Sequence, residues 1–225
     1  MQTFLDSMKK FKVLWIVVLA LALLAFLANE TRLGREEIVY SDSLDLVVGT
    51  VQGKELTLRD FAVYVAHQEA EVQNQALAYD EDNTRRYWNI RTDMGFISQV
   101  ARNEAMSMAI HDMLFYQLFQ ELELKLTEEE QQFLANDVAD FWDDLVDEDK
   151  VDKLGISKED VANSMYRIAC AQKAQHIYAG IEGVEYEELN FAEETFRDFL
   201  EDYDYEVNDK VLNRLDFGDI TLTHE

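Results

Sequence analysis

Proline is absent from all 225 residues. That excludes proline-rich linkers and favours long, uninterrupted helices. There is one cysteine, Cys170, so no intramolecular disulfide can form and the fold needs no oxidant. Cationic residues are scarce: 20 Lys and Arg stand against 46 Asp and Glu, a net charge of −26. Residues 1–30 carry +1, which leaves −27 on the rest of the chain. A surface of that sign repels phosphate, so no nucleic-acid partner is expected. It also keeps the main body off anionic lipid and gives it a solvated exterior. The motifs of bond-making chemistry are missing too. His67, His111, His176 and His224 form no HExxH, HxH or Cys/His pattern. The run Asp143, Asp144, Asp147, Glu148, Asp149 and Asp152 lacks the glycine and closing glutamate of a calcium loop and reads as a solvated acidic loop. No glycine-rich phosphate loop and no nucleophile elbow is present. We expect no catalytic residue, no cofactor and no metal, and hence no enzyme.

What is present begins with sixteen consecutive apolar residues, Val13 to Ala28. With Phe11, and with Lys12 reaching to the interface, this stretch meets the short limit for spanning a bilayer, about 17 residues. Lys9, Lys10 and Lys12 precede it, while Arg32 and Arg35 follow among acids. The bias orients the N-terminus to the cytoplasm and the acidic body to the outside. A cleaved signal peptide is the competing reading, but a cut after Ala28 places bulky Phe26 where a small residue is needed. The expected organisation is a cytoplasmic segment 1–12, an anchor 13–29, a polar stalk 30–45, a folded domain 46–222 and a tail 223–225.

Within the domain, Leu46-Val-Val-Gly-Thr-Val51 and Lys54-Glu-Leu56 flank Gln52-Gly53 as a hairpin. Thr57 with Asp60 caps a helix extending to about Tyr79. Residues 85–95 remain open between helix and loop. A long helix runs from about Phe96 to Leu124, apolar on more than one side, as a central helix must be. Thr127 with Glu130 and Ser157 with Asp160 start two further capped helices, to about Val146 and about Ala179, the second ending at Gly180. Asn190 with Glu193 reads as another capping box before an amphipathic helix. Lys210 to Leu222 reads as one or two strands, the last of which pairs with the first strand. The fold class is mainly α with a small antiparallel sheet. Cys170, in Ile168-Ala-Cys-Ala171, reads as a small core residue, and His111 as a satisfied histidine on an apolar helix.

Three pieces in this order carry a resemblance: Val47-Val-Gly-Thr-Val-Gln-Gly-Lys-Glu-Leu-Thr57, Leu122-Glu-Leu-Lys-Leu-Thr-Glu-Glu-Glu130 and Leu154-Gly-Ile-Ser-Lys-Glu-Asp-Val161. The stretch from about Leu46 to Gly180 resembles the N-terminal chaperone domain of SurA and PrsA type foldases, which is related to the substrate-binding arm of trigger factor. The resemblance implies a multi-helix domain that binds unfolded exported polypeptides. A parvulin prolyl isomerase domain often follows in that family, and the 45 residues after Gly180 cannot hold one, so isomerase activity is not expected. The alternative function is a structural or adaptor protein of the envelope or secretion machinery with one fixed partner.

Candidate client-binding residues are the methionines and aromatics of the long helix and its approach: Tyr87, Trp88, Met94, Phe96, Met106, Met108, Met113, Phe115 and Phe119. Methionine is pliable and suits surfaces that accept varied partners. The plainer reading is that these residues fill the bundle core. The resemblance adds the reading that part of the stripe lines a groove, with Phe141 and Trp142 as further candidates.

Overall fold

The computed structural model describes residues 37–223. The expected cytoplasmic segment 1–12, the anchor 13–29 and the first part of the stalk lie outside those residues. Among the described residues no helix is long and apolar enough to cross a membrane. Strands β1 (Val47–Val51) and β2 (Lys54–Thr57) form the expected hairpin, turning through Gln52 and Gly53, both at positive φ. Helix α1 (Leu58–Tyr79) follows, then a short α2 (Thr84–Trp88) and a two-residue hairpin, β3 (Arg91–Thr92) and β4 (Gly95–Phe96). Helices α3 (Ile97–Glu121), α4 (Glu128–Asp147), α5 (Lys150–Leu154) and α6 (Lys158–Glu182) come next. A 3-10 turn (Tyr186–Leu189), α7 (Glu194–Leu200), β5 (Tyr205–Val207) and α8 (Asp209–Leu212) complete the order.

Three of the four expected capping boxes form. Thr57, Ser157 and Thr127 accept the backbone N–H three residues on, and Asp60, Asp160 and Glu130 reach back to the cap N–H. Each such box satisfies two orphan donors of a helix start. The cap acids also tie helices together. Asp60 of α1 accepts from Arg167 of α6 at 2.5 Å, and Asp160 of α6 pairs with Arg59 of α1 at 3.5 Å. Glu130 of α4 accepts from Lys173 of α6 at 2.6 Å, which holds its carboxyl below the ordinary range. The same residues thus start the helices and set the register between them.

Helix α3 is the central element, packed against both α6 and α1. Phe115 at its middle is fully buried, stacked on Phe199 with ring centroids 5.3 Å apart and ringed by Phe196 and Tyr178. Burying one such ring contributes roughly 1.5–3 kcal/mol. The sheet has the order β2-β1-β5, with β1 and β5 antiparallel (Thr50 opposite Glu206), so the two ends of the domain do meet.

Several expectations change in detail. The closing strand is Tyr205–Val207, not Lys210–Leu222. Asn208 ends that strand by donating from its backbone to Val48 and from its side chain to Val47, and its own carbonyl then starts the helical turn of α8. Val211, Leu212, Leu215 and Phe217 are all buried, at a spacing that fits a turn rather than a strand. Helix α6 runs through Gly180, which has no positive φ, and ends at Gly183 (φ 72°), where Ala179 accepts from both Gly183 and Val184. One interior glycine costs about 1 kcal/mol, and the helix tolerates it to reach the left-handed cap at Gly183. Asn190 does not cap a helix. Its side chain accepts from the buried Gln175 amide at 3.1 Å, and α7 starts only at Glu194. A buried amide left without partners costs more than a missing cap. The end of the stalk packs onto the domain: Tyr40 and Leu44 are buried, and the Tyr40 hydroxyl donates to Leu58 at 2.6 Å.

Candidate functional groove

A groove of about 660 Å³ opens on the domain. Its existence follows from how α4 is placed. Helix α4 leaves α3 through a short turn and packs on α6 and α5, with only Val138 and Leu145 of its apolar stripe buried. Leu134 and Phe141, on the same stripe, stay half-buried and form one wall. Met165 and Ile168 of α6 and Met108 of α3 form the base, and Phe191, in the loop before α7, closes one end. A groove of this size holds one or two large side chains together with their backbone.

Several polar groups of the groove are bonded to one another. The His111 Nε2 donates to the Leu189 carbonyl at 3.0 Å, and its Nδ1 lies 2.8 Å from the Asp112 carboxylate. The Tyr64 hydroxyl donates to the other Asp112 oxygen at 3.1 Å. Burial, and then the Asp112 charge, raise the Tyr64 phenol well above its ordinary pKa, so it remains a donor. Gln175 donates to the Tyr186 carbonyl and to Asn190. This network pins the 3-10 turn and the loop before α7 to α3 and α6, and so holds that end of the groove open. Among the described residues no three His, Cys, Asp or Glu side chains converge as metal ligands do.

Of the nine residues expected to bind clients, the structure brings Met108 to this groove. Trp88, Met106, Phe115 and Phe119 are core residues. Met113 lines a smaller hollow of about 290 Å³ between β2 and α6, beside Tyr64 and Arg167. Tyr87 lies half-buried on Tyr79 and hydrogen-bonds Gln75. Met94 and Phe96 are exposed on the β3–β4 hairpin and do not line the groove. Phe141 does line it, whereas Trp142 packs against the core. Leu134, Met165, Ile168 and Phe191 were missed. A signal for them exists: the 4-3-4 spacing of Leu134, Val138, Phe141 and Leu145 is a narrow stripe on an otherwise acidic helix, which can cover one neighbour and no more.

A second unforeseen residue is Glu69. It sits inside the apolar stripe of α1, between Val65 and Val72, and is fully buried. Its carboxylate accepts from the backbone of Gly218 (2.6 Å), Ile220 (3.3 Å) and Thr221 (2.7 Å) and from the Thr221 hydroxyl (2.5 Å). Burial pushes its pKa up, against the pull of those four bonds. Gly218 (φ 104°) lies so close to Trp88 that a Cβ there would come within 2.8 Å of the ring. Glu69 and Trp88 together clasp the C-terminal segment to α1.

The domain is thus mainly helical, closed by a three-stranded sheet, with an open groove of aliphatic, aromatic and thioether groups. The chain matches the family model of the SurA-like N-terminal domain over residues 5–154, and it belongs to that family. The matched span takes in the apolar run at Val13–Ala28 and ends at Leu154, just before α6. SurA-like domains bind unfolded polypeptides in general. No parvulin domain is detected. No curated protein and no solved structure matches the chain.

Proposed function

We propose that this protein is a membrane-anchored, extracytoplasmic chaperone that holds extended apolar segments of unfolded exported polypeptides, without prolyl isomerase activity. The observation that carries this reading is the open groove of Met108, Leu134, Phe141, Met165 and Ile168 in a chain of the SurA-like family. Two methionines in the base suit varied side chains. The groove supplies contact surface and exclusion of water. The apolar run Val13–Ala28 behind three lysines supports an anchor with the acidic body outside. The −27 carried after residue 30 supports solubility of the loaded complex.

The test is suppression of aggregation. The full chain in lipid nanodiscs, mixed with several unrelated unfolded proteins, is expected to lower light scattering for all of them, with no ATP and no metal added. No effect on any, alongside one tight complex recovered from an envelope extract, contradicts the reading and assigns an adaptor with a fixed partner. Efficient turnover in a prolyl-peptide isomerase assay contradicts the absence of that activity. Protection of the acidic body from protease added to cells with a permeabilised outer envelope contradicts the topology.

A further inference from the structure

The rim of the groove carries charge of one sign. Asp137 on α4 and Glu193 at the start of α7 are exposed, and both belong to the groove lining. Glu193 occupies the cap position of α7 but makes no side-chain cap bond. Among the described residues neither acid is in a side-chain hydrogen bond or an ion pair, so both charges are available to a ligand in the groove. Asp112 adds a third carboxylate at the floor, bound to His111 and Tyr64. Among the described residues no lysine or arginine lines the groove, and His67 is an exposed base there. Of the nearby cations, Arg167 pairs with Asp60 and Lys173 with Glu130, while Arg197, one helical turn after Glu193, lines the neighbouring hollow.

An extended segment alternates its side chains, so a residue pointing into the groove sends its two neighbours outward, towards the rim. We infer that the groove selects extended segments in which a large apolar residue is flanked on both sides by lysine or arginine, and disfavours the same segment flanked by acids. The apolar residue seats among Met108, Leu134, Phe141 and Ile168, while its cationic neighbours meet Asp137 and Glu193. The inference rests on the polypeptide-holding function proposed above and adds a specificity to it. Exposed ion pairs are individually weak, so two of them predict about a fivefold preference over a neutral segment at low salt. The preference should fade as ionic strength approaches about 1 M, where the screening length falls to about 3 Å.

Three labelled peptides of one apolar pattern, with Lys, Gln or Glu at the flanking positions, are titrated by fluorescence anisotropy. The protein is the full chain in nanodiscs of zwitterionic lipid, with empty discs as the control. The expected order of affinity is Lys, then Gln, then Glu. In D137N/E193Q the ratio of the Gln-peptide to the Lys-peptide Kd is expected to fall to within about twofold of one. Equal binding of all three by the unaltered protein overturns this inference and leaves the chaperone reading standing. A Lys preference that persists undiminished in D137N/E193Q also overturns it, because the attraction then comes from the protein's overall charge. Failure to bind any of the three contradicts the chaperone reading itself, and the inference falls with it.

Discussion

Helices α3 and α4 are neighbours in sequence and opposites in environment. Helix α3 is buried on most of its circumference, with Ala101, Ala105, Ala109, Leu114 and Phe115 closed off between α1 and α6. Helix α4 lies on α6 with two buried residues, and it leaves Phe133 and Val146 in solvent and Leu134 and Phe141 on the groove. Both are long and regular, so helix propensity does not separate them. The number of faces that find a partner does. A helix filled on several faces stabilises the domain, whereas a helix filled on one leaves apolar surface for a ligand. On the proposed function, stability and binding are therefore divided between two successive helices.

Phe115→Ala strikes the first of them and is expected to have the largest effect. It removes a fully buried ring from an aromatic cluster, at a cost of about 3–5 kcal/mol, read as a lowered denaturant midpoint. Glu69→Gln follows at about 2–4 kcal/mol, because an amide –NH2 must face donors of the 218–221 segment that a carboxylate accepted. Its pH dependence has a definite sign. The folded pKa of Glu69 is raised, so between its ordinary value near 4.5 and that raised value the folded state binds more protons than the unfolded. The unaltered protein should gain stability relative to E69Q as pH is lowered through that window. A gain on raising the pH contradicts the assignment. Ser157→Ala removes one cap and is expected to cost about 1 kcal/mol. Phe141→Ser is expected to cost least, about 1 kcal/mol or less in equilibrium unfolding, yet to reduce aggregation suppression several-fold. If F141S unfolds the domain as F115A does, the division between the helices is wrong.

Much of the helical framework was legible in the sequence, whereas this division was not, since the candidate binding residues fall mainly on α3 and its approach. The caps at Thr57, Thr127 and Ser157 are local signals, and each marks a helix start to the residue. The breadth of the apolar surface on α3 announced a central helix. The groove was harder to see, because Met106, Met108 and Met113 lie on one helix with the same chemistry and different neighbours: the core, the groove and a second hollow. Which face is left open depends on where α4 and the loop before α7 come to rest. That is set by tertiary bonds such as Gln175 to Asn190 and Lys173 to Glu130, which no periodicity encodes. The C-terminal segment escaped for the same reason: its backbone donors are satisfied by Glu69, 149 to 152 positions earlier in the chain, rather than by a strand ladder. A lone acid in the apolar stripe of α1 was the available clue.

The most direct test of the central claim is hydrogen exchange of the full chain, with and without a permanently unfolded polypeptide. The account predicts added protection at the backbone amides near Leu134–Phe141, Met165–Ile168 and residues 189–193, with α3 around Phe115 already slow to exchange and unchanged. Added protection confined to the β3–β4 hairpin at Met94 and Phe96, or no change at the groove despite bound polypeptide, would contradict it.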